Sequence, residues 1–390
     1  MGRKLTGLKN RNGVWYIHKQ YRGKTIRCSC YTDERKEAEA ILIQKMSEID
    51  KAVNFGIRKD RTFAEAAMRY ISENENKPSI DMTIIMLESL MPFIGKLTLR
   101  NIHDGTLKKY IEHRKKHGDT AQTKDGVKNR TVNIALEIVI RILNLSARKW
   151  RDENGMTWLD IPPSISKLNE KEDRRKPYPI SWFEQRILMG ELPEHLRSMA
   201  LFKVNTGTRE QEVCNLRWDW EIYIPEIKKS VFLIPEDFGG RDKNSGVKNR
   251  EDRLVVLNDV AREVVQKQRG KHPIYVFTYR GKPVTRMYNS AWKKARIRAS
   301  VRFEKETETK ANDGMINLRV HDLKHTFGYR LRSAGVTEED RKTLLGHKSK
   351  SITTHYSAPD VEKLIEFSNK VNETDGAQRR TLTILRRKTA

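Results

Sequence analysis

No apolar run in the 390 residues approaches the roughly 18 needed to cross a bilayer. The opening Met1-Gly2-Arg3-Lys4 also lacks the apolar stretch of a signal peptide, so we expect an intracellular protein without membrane contact. Cysteine is scarce: Cys28, Cys30 and Cys214 form no pair of Cys-x-x-Cys spacings, which argues against a disulfide framework and a structural zinc and leaves reduced thiols. Acidic residues are outnumbered, with 51 Asp plus Glu against 77 Lys plus Arg, a formal charge of +26 and a pI near 9.9. A chain that basic most often meets nucleic acid; a well-solvated basic surface is the plainer reading. The length suits two or three domains, each with its own core.

Residues Val14 to Tyr21 and Thr25 to Cys30 are aromatic and β-branched runs joined by Arg22-Gly23-Lys24, a hairpin pattern, and Asp33 opens a helix over Glu34 to Asp50. A small basic sheet backed by a helix can enter a DNA groove, or serve as a protein-binding module. After a polar joint at Gly56 to Arg61, helical periodicity recurs from Thr62, around Ile84 to Phe93, around Thr106 to His117, and over Val132 to Trp150, a small bundle. Lys108, Lys109, Arg114, Lys115, Lys116, Lys124, Lys128 and Arg130 supply charge suited to phosphates, or simply to solvent. Pro162-Pro163 ends this region, and the charged stretch Lys167 to Lys176 reads as a linker before Pro177.

Beyond it, Ser181 and Glu184 have capping-box spacing, and so do Thr208 and Gln211. The latter pair would put Arg209 in a first helical turn, beside N–H groups that favour an anion. Val231 to Ile234 and Arg253 to Leu257 read as strands, with Lys248 in the polar loop between them. From His321 a helix would bury Leu323, Phe327 and Leu331, with His321, Lys324, His325 and Gly328 on an adjoining face. A second helix, capped by Thr337 with Asp340 at its third position, would stop at Gly346 and fix His347 just past its end. Imidazoles, an ammonium and the Tyr356 phenol in one stretch suit charge transfer at a phosphate, although each His alone also reads as a solvated polar residue. His321 and His325 are spaced i, i+4, but no Glu follows the first as in a His-Glu-x-x-His site, which argues against a metal.

In chain order these residues resemble the tyrosine recombinase (phage integrase) family. Thr206-Gly207-x-Arg209-x-x-Glu212-x-x-x-Leu216 is similar to its arginine box. Lys248 precedes Arg253-Leu254-Val255-Val256-Leu257 as the family's hairpin lysine precedes its strand, with Val256 where Pro is common. His321-x-x-Lys324-His325-Thr326 looks like the His-x-Leu-Arg-His-Thr box, with Lys324 in place of the second arginine. Leu344-Leu345-Gly346-His347 followed by Tyr356 resembles the last box and the nucleophile.

The resemblance implies an α+β, mainly helical chain. Residues 1–55 would be a small β-sheet and helix that bind arm-type DNA, and residues 62–163 a helical-bundle core-binding domain. Residues 178–370 would be a mixed, mainly α catalytic domain with a small antiparallel sheet, and residues 371–390 a basic tail. It also implies double-stranded DNA with core and arm-type sites, a homo-tetramer on DNA that exchanges the helix around Val361 to Phe367, and host or element-encoded DNA-bending proteins, in the cytoplasm and nucleoid of a bacterial host. The implied catalytic set is Arg209, Lys248, His321, Lys324, His347 and the nucleophile Tyr356, with no cofactor and no metal. A tyrosine titrates near 10, so near pH 7 its phenolate is disfavoured by about 4 kcal/mol, and nearby cations or a base must make up the difference. A type IB topoisomerase-like relaxer and a DNA-binding regulator without catalysis are the alternatives; Lys324 favours the second, because an ammonium lacks the guanidinium fork.

Overall fold

Alternating burial organises the first module. In the strands β1 (Leu8–Arg11), β2 (Val14–Tyr21) and β3 (Lys24–Ser29), an antiparallel sheet in the order β1-β2-β3, Ile17 and Ile26 turn inward onto Ala38, Leu42 and Ile49 of helix α1 (Arg35–Phe55). The opposite face presents the cross-strand pairs His18 with Arg27 and Gln20 with Thr25 to solvent. The hairpin turn places Arg22 at φ 48° and Gly23 at φ 76°, the left-handed pair that matches strand twist. The structure is a computed structural model and describes residues 6–118, 123–153, 155–238, 251–347 and 357–372.

Helices α2 (Phe63–Ser72), α3 (Ile80–Ile94), α4 (Asp104–Lys116) and α5 (Asn129–Arg148) close over a separate apolar core that includes Phe63, Leu90, Tyr110, Leu136 and Leu143. Thr62 caps α2 with Glu65 returning the bond, as a capping box should. The stretch expected to be a solvated linker is packed instead. Asn133 of α5 donates to the Leu168 carbonyl (2.9 Å) and accepts from the Leu168 N–H (2.8 Å), while Asp173 accepts from the Asn129 N–H (2.6 Å) and Lys115 (3.2 Å). The Asn133 side-chain amide and the Asn129 backbone N–H thus substitute for the water that a charge-dense segment would otherwise need. Arg114, one of the basic residues offered either to phosphates or to solvent, is 3% exposed and so fits neither reading.

By chain contacts the molecule divides into residues 1–174 and 175–390. In the second unit, α6 (Trp182–Glu191), α7 (Glu194–Thr206) and α8 (Glu210–Cys214) precede the strands β4 (Glu221–Ile224), β5 (Lys229–Ile234) and β6 (Arg253–Val256), an antiparallel sheet in sequence order. There follow α9 (Asp259–Gln266), the short pair β7 (Thr278–Tyr279) and β8 (Lys282–Pro283), α10 (Ser290–Thr307), α11 (Asp313–Ile316), α12 (Val320–Ser333), α13 (Glu338–Leu344) and α14 (Ala358–Asn369). Period-two alternation gives the sheet two apolar faces: Phe232 and its partner Val255 enter a core with α6, α7 and α10, while Val231 and Val256 face α12, α13 and α14. Helix α12 lies between the two cores, with Leu323 in the first and Phe327 and Leu331 in the second. Within this chain α14 packs Leu364 and Ile365 on that second core.

Candidate active site

Two chain reversals build the site, and each needs a glycine. Helix α7 ends at Gly207, at φ 63°, where an added Cβ would lie 2.6 Å from the Phe327 ring. Helix α13, capped by Thr337 as its sequence indicates, is followed by Gly346 at φ 58°, where an added Cβ would lie 2.5 Å from Arg253 Nε. The backbones at both reversals therefore come close enough to be joined by side chains.

Arg209 is the N-cap of α8, and Glu212 is its third residue. The box expected at Thr208 and Gln211 is displaced by one position, because Thr208 is buried and shares a hydrogen bond with Thr206 (2.9 Å). Glu212, 1% exposed, accepts the Arg209 N–H (2.6 Å) and Nη1 (2.8 Å), and also Nη1 of the buried Arg253. Burial alone would raise the Glu212 pKa, but Arg253, then the Arg209 N–H and guanidinium, hold it below the ordinary value. Burial pulls Arg253 down to about 10 while Glu212 opposes the fall.

Three cations tie the two reversals together. Arg209 Nη2 donates to the Gly346 carbonyl (3.0 Å). Arg253 Nη2 donates to Gly207 (3.0 Å) and to Leu344 (3.4 Å). Lys324 Nζ donates to Gly207 (2.8 Å) and to Leu345. Lys324 was expected to project beside His321; it is turned inward and 5% exposed, while His321 sits exposed at the helix start. Burial first, then the charges of Arg253, Arg209 and Lys203, push Lys324 down to about 5. The two carbonyls suit an ammonium, and a neutral amine can donate to the same pair.

Crowding of the ring by protein, then the charges of Lys203, His325 and Lys324, hold His321 down to about 4, so it is neutral near pH 7. Its ring meets that of His325 edge-on, with centroids 4.8 Å apart. Desolvation also lowers His325, though Asp322 opposes it. His347 donates its N–H to the Lys342 carbonyl (2.9 Å) and is lowered by desolvation, then by Lys324 and Arg209. Arg209 on the Gly346 carbonyl and Lys324 on the Leu345 carbonyl both reach the residues just before His347. Lys248, His355 and Tyr356 lie outside the described residues, as does most of the tail.

Some residues that organise the site drew no attention in the sequence. Asp322, 3% exposed, accepts from the Arg319 N–H (2.8 Å), the Tyr178 N–H (3.2 Å) and Arg175 (2.9 Å), and so anchors the start of α12 to the chain entering this unit. Lys203 is buried beneath Thr208 and donates to its carbonyl. A charged residue between Phe202 and Val204 was the available signal for Lys203; Asp322 offered only its place three residues after Arg319. Among the described residues, no group of three or more His, Cys, Asp or Glu is arranged to hold a metal ion, and no helix is long and apolar enough to cross a membrane.

Residues 184–363 match the model of the phage integrase family. The integrase of Salmonella phage P22 is 24% identical over 404 aligned residues, covering 95% of this chain and 95% of that protein. The Tn1549 transposon integrase bound to transposon right-end DNA has the same fold over 78% of this chain and 99% of that one, with a TM-score of 0.53 at 14% identity. A second structure of that integrase, with circular intermediate DNA, matches with the same score and identity over 78% and 98% of the two chains. The stretch that carries Arg209, His321, Lys324 and His347 is thus similar to the phage integrase family, and nearly the whole chain is similar to a phage integrase.

Proposed function

We propose that this chain is a site-specific DNA recombinase that cleaves and rejoins strands through Tyr356. The phenolate oxygen attacks a phosphodiester and forms a 3′-phosphotyrosyl link, and the departing 5′-oxygen takes a proton from Lys248. The 5′-hydroxyl of another strand then reverses the step, so the bond is conserved without ATP. The observation that carries this reading is the placement of Arg209. Its guanidinium is held by Glu212 and the Gly346 carbonyl while its side chain stays 20% exposed, so N–H groups are left to clamp a phosphate and stabilise its transition-state charge. His321 and His347, both neutral near pH 7, are suited to hydrogen-bond the phosphate or handle the Tyr356 proton. Lys324, turned inward onto the Gly207 and Leu345 carbonyls, would hold the two reversals that carry Arg209 and His347 in place.

The Tn1549 integrase structures hold DNA, and double-stranded DNA is the partner proposed here. The proposal extends to core and arm-type sites, a homo-tetramer on DNA, DNA-bending accessory proteins, and integration or excision of a mobile element in a bacterial host.

A duplex carrying a nick beside the cleavage point tests the reading, because the short fragment diffuses away and traps the covalent complex. The parental chain should become linked to DNA and transfer strands between duplexes. Tyr356→Phe should bind equally and link to nothing. Covalent attachment of the Phe variant would displace the assignment to another nucleophile. Binding by the parental chain without attachment would favour the non-catalytic regulator, for which the inward turn of Lys324 is the structural argument, and attachment without transfer would favour the relaxer.

A further inference from the structure

Lys203 is a buried charge to which the mechanism above gives no task. It lies in the last turn of α7 with Phe202 and Val204, fully buried neighbours, and is itself closed to solvent. An apolar side chain is less costly to bury at such a position than an ammonium, so what Nζ reaches must explain the residue. The Lys203 carbonyl accepts the Gly207 N–H (2.9 Å), and its Nζ donates to the Thr208 carbonyl. Lys203 thus closes the turn through both its main chain and its side chain, and the residue after Thr208 is Arg209. From the other side, Arg253 (3.0 Å) and Lys324 (2.8 Å) hold the Gly207 carbonyl. The two carbonyls preceding Arg209 are therefore gripped by cations from α7, β6 and α12. Lys203 also belongs to the field of the site. Burial lowers its pKa to about 7 against the pull of Glu212, and its charge is among those that lower His321 and Lys324.

We propose that Lys203 is a positioning residue for DNA cleavage: by closing the Gly207–Thr208 turn from inside the core, it sets the direction in which Arg209 leaves that turn toward the phosphate. It acts through Arg209 and touches no substrate. The inference rests on the reading that Arg209 clamps the phosphate at which Tyr356 reacts.

The test uses the full chain, a nicked suicide duplex and single-turnover conditions, with Lys203→Met, which keeps length without a donor, and Lys203→Gln, which keeps an N–H donor. Rates are taken per DNA-bound molecule, so that a partly unfolded preparation does not lower them, and DNA affinity and thermal midpoint are measured alongside. Lys203→Met should bind within about twofold of the parent and cleave at least about tenfold more slowly, and Lys203→Gln should recover a clear part of that rate. A Met variant that cleaves at the parental rate overturns the inference alone. So does a Gln variant as slow as Met, with both rates following the thermal midpoint, since that is the behaviour of a purely structural lysine. A parental chain that forms no covalent complex overturns the recombinase reading and this inference with it.

Discussion

Both units carry exposed cations, but among the described residues it is the second that gathers several of them out of water. In residues 1–174, the buried Arg114 apart, paired cations stand at the surface: Lys108 is 73% exposed beside Glu112, and Arg130, 56% exposed, pairs directly with Glu137 and Glu170. In the second unit Lys203, Arg253 and Lys324 are withdrawn from water around one buried carboxylate, Glu212, and several backbone carbonyls. Exposed pairs contribute little to stability and leave their charge available to a polyanion. Buried ones are costly to assemble and hold a fixed geometry, which is what a transition state requires. Composition alone would count both sets as one basic surplus.

Glu212→Gln gives the sharpest contrast. Removing one charge of a buried network should cost about 3–5 kcal/mol of unfolding free energy, whereas Glu137→Gln in the first unit should cost less than about 1 kcal/mol, both read from denaturant titrations. Equal losses would erase the distinction between the units. Because Glu212 has its pKa held below the ordinary 4.5, its contribution is present above that value and fades as the pH falls through the folded-state pKa.

Lys324 divides the second unit further. Lys324→Ala should slow single-turnover cleavage at least about a hundredfold with DNA binding little changed, while Lys324→Arg should keep or raise the rate. Cleavage by the Ala variant at the parental rate would reduce the lysine to a staple and move the second cationic clamp elsewhere.

The pH response is a smaller effect. His321 has a folded pKa near 4 against an ordinary 6.5, so the folded chain binds fewer protons between those values. Stability is complete above about 6.5 and declines as the pH falls toward 4. Imidazole NMR should find this ring neutral at pH 6, and a midpoint near 6.5 would contradict the crowding that lowers it.

The mildest test concerns the first unit. A chain starting near Arg61 should keep core-site binding and cleavage but lose affinity for a separate distal sequence. Its log–log salt slope should be shallower by about 0.9 for each phosphate contact removed. Competition of both fragments for one sequence would end the two-site picture.

Much of the fold was legible because its signals are local. The hairpin before Asp33, the apolar stripe Leu323, Phe327 and Leu331, and the Thr337 cap with its Gly346 stop all follow from periodicity and turn chemistry within one element. The edge strands β1 and β4 were not read: each is four residues long, and pairing more than pattern makes it a strand. The long helix α10 was also missed, since its basic residues interrupt the apolar spacing. The segment Leu168 to Asp173 has a linker's composition, and the Asn129 and Asn133 amides, with Lys115, Lys128 and Arg130, turn it into packed structure.

By itself the sequence determined which chemical groups are present, in what order, and which helix carries His321 and Lys324. It could not determine where those side chains end. Lys324 and Arg253 meet at the Gly207 carbonyl although they belong to α12 and β6, and Glu212 accepts Arg253 across a long stretch of chain. Contacts of that kind depend on two glycines that let the reversals approach and on cores that place α12 against α7 and the sheet. No local rule reports them, because the free energy of a buried charge is set by the partners that folding brings to it.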